Sequence, residues 1–348
     1  MDHYDEGYGF GAFKPAWHHK MPVIDFRPEG WADAAKWAKI DWDVQSVPVY
    51  RQSQGSPYAP VAYEAVDGYQ FIIRDDKDVT DPDGVLHFAK SSYAPITNAD
   101  FGEIVEYVYE GAGIGLKPSF ETLISLRGGK VIACTMILNE RDLLGDPSPM
   151  MQYLVAYTSH DASSKLRIGE TDVRVVCANT QSAADQSFER TGRYGEIMHT
   201  SNWRDSLPEV TEQVRRVVQQ ADANMERYEE MAQTTMNHFQ MHEFISKYVA
   251  AELRRVYRDR KPDDEIVEAT SRKITKSFLD VYSGSLGTDT MEGIRGTKWG
   301  VYQAVTQMRD HHTRHNGASE GNYDTLIGRT LIYGDAPKAS AMKILAKL

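Results

Sequence analysis

Two histidines flanked by small polar residues carry the side chains for proton transfer near neutral pH. They are His160, in Tyr157-Thr-Ser-His-Asp161, and His199, in His199-Thr-Ser-Asn202. Asp161 sets a carboxylate beside the first of them. A hydrolase or transferase acting on nucleotides or nucleic acid is the reaction class that such a trio could serve. Cys177 could complete a Cys-His-Asp nucleophilic site with these groups. It follows Val175-Val176 in an apolar run, however, and no cysteine-hydrolase signature surrounds it. Cys177 and Cys134, the two cysteines of the chain, are read as packed thiols.

A second set lies between Arg295 and Arg314. A helix starting at Thr297 would place Val301, Ala304, Val305 and Met308 on its core face. Lys298, Tyr302 and Arg309 would line a neighbouring face. With Arg295 and Trp299 they form the basic and aromatic stripe that a phosphate backbone and stacked bases require. Asn179 and Arg174 are added as polar groups at a strand end that could reach nucleic acid. The alternative for the stripe is a solvated helix face with Trp299 packed inward. The pairs His238/His242 and His311/His315 have the i, i+4 spacing of a two-histidine metal site, but lack the intervening Glu and further ligands. Gly293-Ile-Arg-Gly-Thr-Lys298 departs from a phosphate-binding loop, and Gly111-Ala-Gly-Ile-Gly115 ends a helix instead of following a strand. No cofactor and no metal are therefore expected.

The net charge of −11 is unevenly distributed. Residues 1–114 hold 9 basic against 19 acidic side chains, leaving 30 against 31 in the remainder, so the later part can carry a local basic surface. No apolar run is long enough to span a membrane. The first ten residues lack the basic and apolar regions of a signal peptide, so a cytoplasmic protein without membrane partners is expected.

These groups need a scaffold. Residues 1–45, with Trp17, Trp31, Trp37 and Trp42, read as an N-terminal arm draped over the body or a neighbour, with one short helix over Trp31 to Ile40. Residues 46–205 read as an α+β unit built mainly on an antiparallel sheet. Its short strands are Val47 to Arg51, Tyr69 to Arg74 and Val85 to Ala89. A helix capped by Asn98 or Asp100 follows, then a hairpin turning at Gly128-Gly129 and apolar strands at Met151 to Thr158 and Val173 to Ala178. Asn179 or Thr180 would cap a helix running toward Arg190. Residues 206–282 read as a helical subdomain. It opens with the capping box Ser206-Leu-Pro-Glu209 and the stripe Val210, Val214, Val217, Ala221, Met225, Tyr228. Residues 283–348 are a C-terminal helix and tail packing back on the body.

The order and spacing of four motifs, Tyr157 to Asp161, Arg174 to Thr180, His199 to Asn202 and Gly293 to Gly300, resemble the phage/plasmid-like proteins grouped as domain of unknown function 932. The resemblance runs from about Val47 to His315. It implies a bacterial or mobile-element setting and assigns no reaction. The leading expectation is a protein of phage or plasmid DNA metabolism that binds single-stranded nucleic acid as a homo-oligomer. The nucleotide-directed enzyme and a purely structural or partner-binding protein stand as alternatives.

Overall fold

The computed structural model describes residues 4–13, 22–52, 62–77, 81–115, 117–174, 179–180, 194–285, 289–312 and 336–348. In chain order its strands are β1 (Tyr4–Ala12), β2 (Val23–Ile24), β3 (Val44–Gln52), β4 (Tyr63–Arg74), β5 (Val85–Lys90), β6 (Phe120–Leu126), β7 (Val131–Arg141), β8 (Met150–Ser159), β9 (Leu166–Arg174), β10 (Asn179–Thr180) and β11 (Tyr194–Ile197). Its helices are α1 (Trp31–Ala38), α2 (Asn98–Gly111), α3 (Leu207–Gln233), α4 (His238–Val256), α5 (Asp264–Tyr282), α6 (Lys298–His311) and α7 (Ala336–Leu345). The fold is α+β.

The antiparallel meander β6–β7–β8–β9 is the centre of the larger sheet. Arg127, Gly128 and Gly129 all adopt positive φ at its first turn, which is the conformation that the glycine pair is there to supply. β1 extends the sheet antiparallel to β6, and the short β2 runs parallel to β1. The segment expected as an arm is therefore built into the sheet, and Ala34, Ala35 and Ala38 of α1 are buried. β3, β4 and β5 form a separate antiparallel sheet.

One face of the larger sheet carries two apolar clusters. In the first, Phe101, Ile104, Val105 and Val108 of α2 and Val210 and Val214 of α3 meet Leu123, Ile132, Leu154 and Ile168 of the sheet. In the second, Met225 and Tyr228 of α3 pack with Phe244 of α4, Phe278 of α5, Trp299 and Val305 of α6, and Leu345 of α7. The 27 residues of α3 span about 40 Å, enough for one amphipathic helix to serve both clusters. All six residues of its predicted stripe are buried.

Helix entry differs from the sequence reading in two places. Thr97 caps α2, with Asp100 completing a capping box and Asn98 already in the first turn. Ser206 makes no side-chain cap, because the 3-10 turn Trp203–Ser206 runs directly into α3 and leaves its backbone helical. Strand β9 begins seven residues before the predicted Val173. Asn179 and Thr180 turn back to pair with Arg174 and Val173. Residues 175–178, including Cys177, and the predicted helix toward Arg190 lie outside the described residues.

Candidate functional site

The structure brings His160, Asp161 and His199 to one end of the sheet. His160 follows β8 and is fully buried, with its N–H donating to the Lys130 carbonyl at 2.8 Å. Its Nε2 lies 2.9 Å from Asn98 Oδ1. The Asn98 amide is oriented by its Nδ2, which donates to the Trp42 carbonyl at 2.9 Å, so Oδ1 accepts and Nε2 of His160 carries the proton. Nδ1 is then bare, and it is buried without a hydrogen-bond partner among the described residues. Asp43 joins the chain by accepting the Asn98 N–H at 2.9 Å. His199 stacks on Tyr93, with ring centroids 5.3 Å apart, and its Nδ1 accepts from the Ile96 N–H at 3.3 Å. That leaves the proton on Nε2, 3.5 Å from Thr158 Oγ1.

Burial, reinforced by the His199 ring, pushes the His160 imidazole down to about 3. Burial likewise brings His199 down to about 4. Both rings are therefore neutral at pH 7, outside the range in which a histidine shuttles protons best. Asp161 is occupied locally, accepting the Ser163 N–H at 3.0 Å. The three residues converge, but His160 has no surface through which to meet a substrate. Their arrangement ties the β8 end to the start of α2.

A second polar group lies between the two apolar clusters. On β9, Glu170, Asp172 and Arg174 alternate along the face that meets the helices, and all three are buried. Asp172 accepts from Gln152 at 3.1 Å and from the Tyr228 hydroxyl at 3.0 Å, and it shares a hydrogen bond with Glu170. Two carboxyl groups so joined need a proton between them, and burial pushes Asp172 up accordingly. Arg174 makes a bidentate pair with Asp146 at 2.7 and 2.6 Å and donates to the Thr290 carbonyl at 2.8 Å. Asp146 also accepts Trp299 Nε1–H at 2.7 Å and the Ser148 N–H at 3.0 Å. Four donors saturate this carboxylate. Gly293, at φ 83°, lies so close that a Cβ would stand 2.6 Å from the Gly145 carbonyl oxygen, and one on Gly300 would stand 2.3 Å from the Ile294 carbonyl oxygen. The Gly293-to-Gly300 motif is thus a close backbone approach that delivers Trp299 to Asp146.

The predicted basic and aromatic stripe is not a surface. Trp299 and Tyr302 are fully buried, Trp299 against the Tyr228 ring at 5.0 Å, and neither can stack on a base. Arg309 is buried and engaged within the protein, and Arg174 is enclosed by its Asp146 pair. The physical reason is that α6 packs against α3, α5, α7 and β10, so that nearly its whole circumference is covered. Arg295 is exposed, but both its bonds to Asp289 are 2.7 Å long and its Nε donates to the Tyr282 carbonyl. Lys298 keeps some access, lining a hollow of about 160 Å³ with Arg227, Glu230 and Met342. Asn179 is described only by its backbone pairing with Arg174.

Exposed basic charge lies elsewhere, at the turn between α4 and α5. From Arg254 to Lys261 five of eight residues are basic and one is acidic. Arg254, Arg255, Arg258, Arg260 and Lys261 are all exposed. Arg255 pairs with Glu252 at 2.9 Å, whereas the other four form no ion pair among the described residues. The local run Arg-Arg-Val-Tyr-Arg-Asp-Arg-Lys carried this signal, and a charge count over everything after residue 114 averaged it away against acidic neighbours such as Asp263, Asp264 and Glu265. His238 and His242 are exposed on α4, and among the described residues no group of three or more His, Cys, Asp or Glu is placed to hold a metal ion. His315 lies outside the described residues. Among those described, no helix is long and apolar enough to cross a membrane.

The arrangement defines an α+β protein in which His160, Arg174 and Trp299 of the signature motifs are interior, with a mainly antiparallel sheet roofed by helices and joined to them at Asp146. The chain belongs to the family described as Domain of unknown function (DUF932), which it matches over residues 85–330. That match starts after β3 and β4, later than the Val47 at which the motif resemblance was set. No curated protein and no solved structure matches the chain.

Proposed function

We propose that this protein binds nucleic acid through the basic turn between α4 and α5, contacting phosphates without reading bases. One observation carries this reading: Arg254, Arg258, Arg260 and Lys261 stand in water within eight residues, with no carboxylate partner among the described residues. Guanidinium groups left in that state match phosphate oxygens bidentately. They can also release condensed counterions from a polyanion, which a paired arginine does less well. Their place at the C-terminal end of α4 suits the helix dipole, so the fold can hold them there without internal carboxylates. The aromatic rings that would have stacked on bases are interior, and the reading is accordingly one of backbone contact. A role in phage or plasmid DNA metabolism is part of the same proposal, motivated by the motif resemblance alone.

The test is fluorescence anisotropy with labelled single-stranded and duplex oligonucleotides of about 30 nucleotides, from about 20 to about 200 mM KCl. Binding at low salt with a steep salt dependence is expected. Replacing Arg254, Arg258, Arg260 and Lys261 together by Gln should weaken it about tenfold or more and flatten that dependence. A protein that binds neither oligonucleotide at low salt, or a variant that binds as tightly as the parent, overturns the proposal.

A further inference from the structure

The apolar stripe on α3 is spent inside the chain, whereas the small sheet carries an exposed apolar strip. Cross-strand register sets Phe71 opposite both Val47 and Phe88, with Tyr69 two residues before it and Ile73 two residues after. Tyr69 and Phe88 are 43% and 49% exposed although their rings stack at 5.1 Å, and Phe71 packs on Phe88 at 5.3 Å. The opposite face of this sheet is the inner one, where Ile72, Leu86 and Ala89 join the core. An antiparallel sheet is expected to alternate apolar inside with polar outside. This one is apolar on both faces, which leaves its outer strip, including the exposed Val85, without a partner among the described residues.

The strip also has a charge direction. It begins at Lys90, which is paired with Tyr69 across the strands, is exposed and makes no ion pair among the described residues. It ends past Ile73 and Val85 at the exposed acidic residues Asp75 and Asp83. The N-terminal third that contains it holds 19 acidic against 9 basic side chains, which disfavours a polyanion as occupant.

We infer that the outer face of β3–β4–β5 is a self-association surface that pairs with the same face of a second copy of this chain. A twofold axis lying in the interface and running across the strands reverses the strip in the partner. Lys90 of each copy then meets the acidic end of the other, while the Tyr69, Phe71 and Phe88 rings pack at the centre. A self-complementary patch of this kind, apolar at the middle and charged at both ends, is what an isologous dimer needs. The inference is independent of the nucleic-acid reading, which concerns the turn between α4 and α5.

The experiment is sedimentation velocity on the full chain from about 1 to about 100 μM, where mass action favours the dimer, together with deuterium exchange at both ends of the range. Expected are a concentration-dependent dimer and slowed exchange in residues 69–73 and 85–90 at the higher concentration. Phe88→Lys and, separately, Tyr69→Lys should abolish the dimer, whereas Phe239→Lys, at a side chain 84% exposed on α4, should leave it intact. A parent that stays monomeric throughout overturns the inference. So does a dimer whose protection falls elsewhere, a reading taken on the parent chain alone and unaffected by whether a variant folds. Oligonucleotide binding by a monomeric parent that disappears in Phe88→Lys would likewise overturn it, assigning the face to nucleic acid.

Discussion

On β9 every second residue from Glu170 to Arg174 is charged and buried, whereas around the α4–α5 turn five basic residues in eight stand in water. In sequence the two stretches look alike, each mixing charge with apolar residues. They differ in what distant parts of the chain supply. Arg174 receives Asp146 from 28 positions away, and Asp146 receives Trp299 from 153 positions away. Arg258 receives no carboxylate from any described residue. A buried ion pair surrounded by hydrogen bonds fixes which elements meet, and a solvated arginine contributes little to the fold and is available to an outside anion. The comparison divides the charged residues of this protein into those that specify the structure and those that can act.

The largest expected effect comes from breaking the Asp146 hub. Asp146→Ala would leave the Arg174 guanidinium buried without its carboxylate, and would strip Trp299 Nε1–H and the Ser148 N–H of their acceptor. Breaking one side of such a buried pair costs about 3–5 kcal/mol. Urea unfolding should register that loss, with the nucleic-acid affinity of the remaining folded protein unchanged. A loss below about 1 kcal/mol would mean that the β9 row is not what fixes the sheet to α6.

The second effect is smaller and depends on pH. His160 and His199 have folded values of about 3 and about 4, below the ordinary 6.5. Their contribution is fully present above pH 6.5. As pH falls below 6.5 the unfolded chain takes up protons that the folded one refuses, and stability drops until the folded values are reached. At pH 5 the deficit is about 2 kcal/mol for each ring. Asp43 and Asp172, whose carboxyls burial pushes up, act in the opposite sense on acidification, so the informative quantity is a difference. His160→Gln can keep a donor toward Asn98 and should lose about 2 kcal/mol less than the parent between pH 7 and pH 5. Parallel pH dependence of the two proteins in urea titrations would remove His160 from the account.

The sequence made the helices readable and left the interior polar residues obscure. Val210 to Tyr228 at spacings of three and four could be placed on one buried face because α3 buries a single stripe. Strand β9 was cut short because Glu170 and Asp172 interrupt its apolar run, and period two assigns such residues to water unless a partner is known. The partners were Gln152 and Tyr228, neither of them local. For α6, Lys298, Tyr302 and Arg309 read as an accessible stripe on a helix that is covered from several directions. The convergence of His160, Asp161 and His199 was legible as polar ends of neighbouring strands. Their burial was not, because it depends on Trp42, Tyr93 and Asn98 from segments that no local pattern ties to them.

The smallest expected change in stability, at the other pole of the comparison, should accompany a clear change in binding. Arg254→Gln with Arg258→Gln removes two exposed charges that leave no carboxylate stranded among the described residues, and the melting temperature should move by no more than about 2 °C. Oligonucleotide affinity should fall in the same variant, and its salt slope should shrink by about 0.7 for each single-strand phosphate that the variant no longer neutralises. Asp146→Ala is expected to do the reverse, large in stability and null in affinity. If the arginine variant instead melted several degrees lower with unaltered binding, the α4–α5 arginines would belong with the interior charges as residues that hold the fold. The division between specifying and acting charges would then have to be drawn elsewhere in the chain.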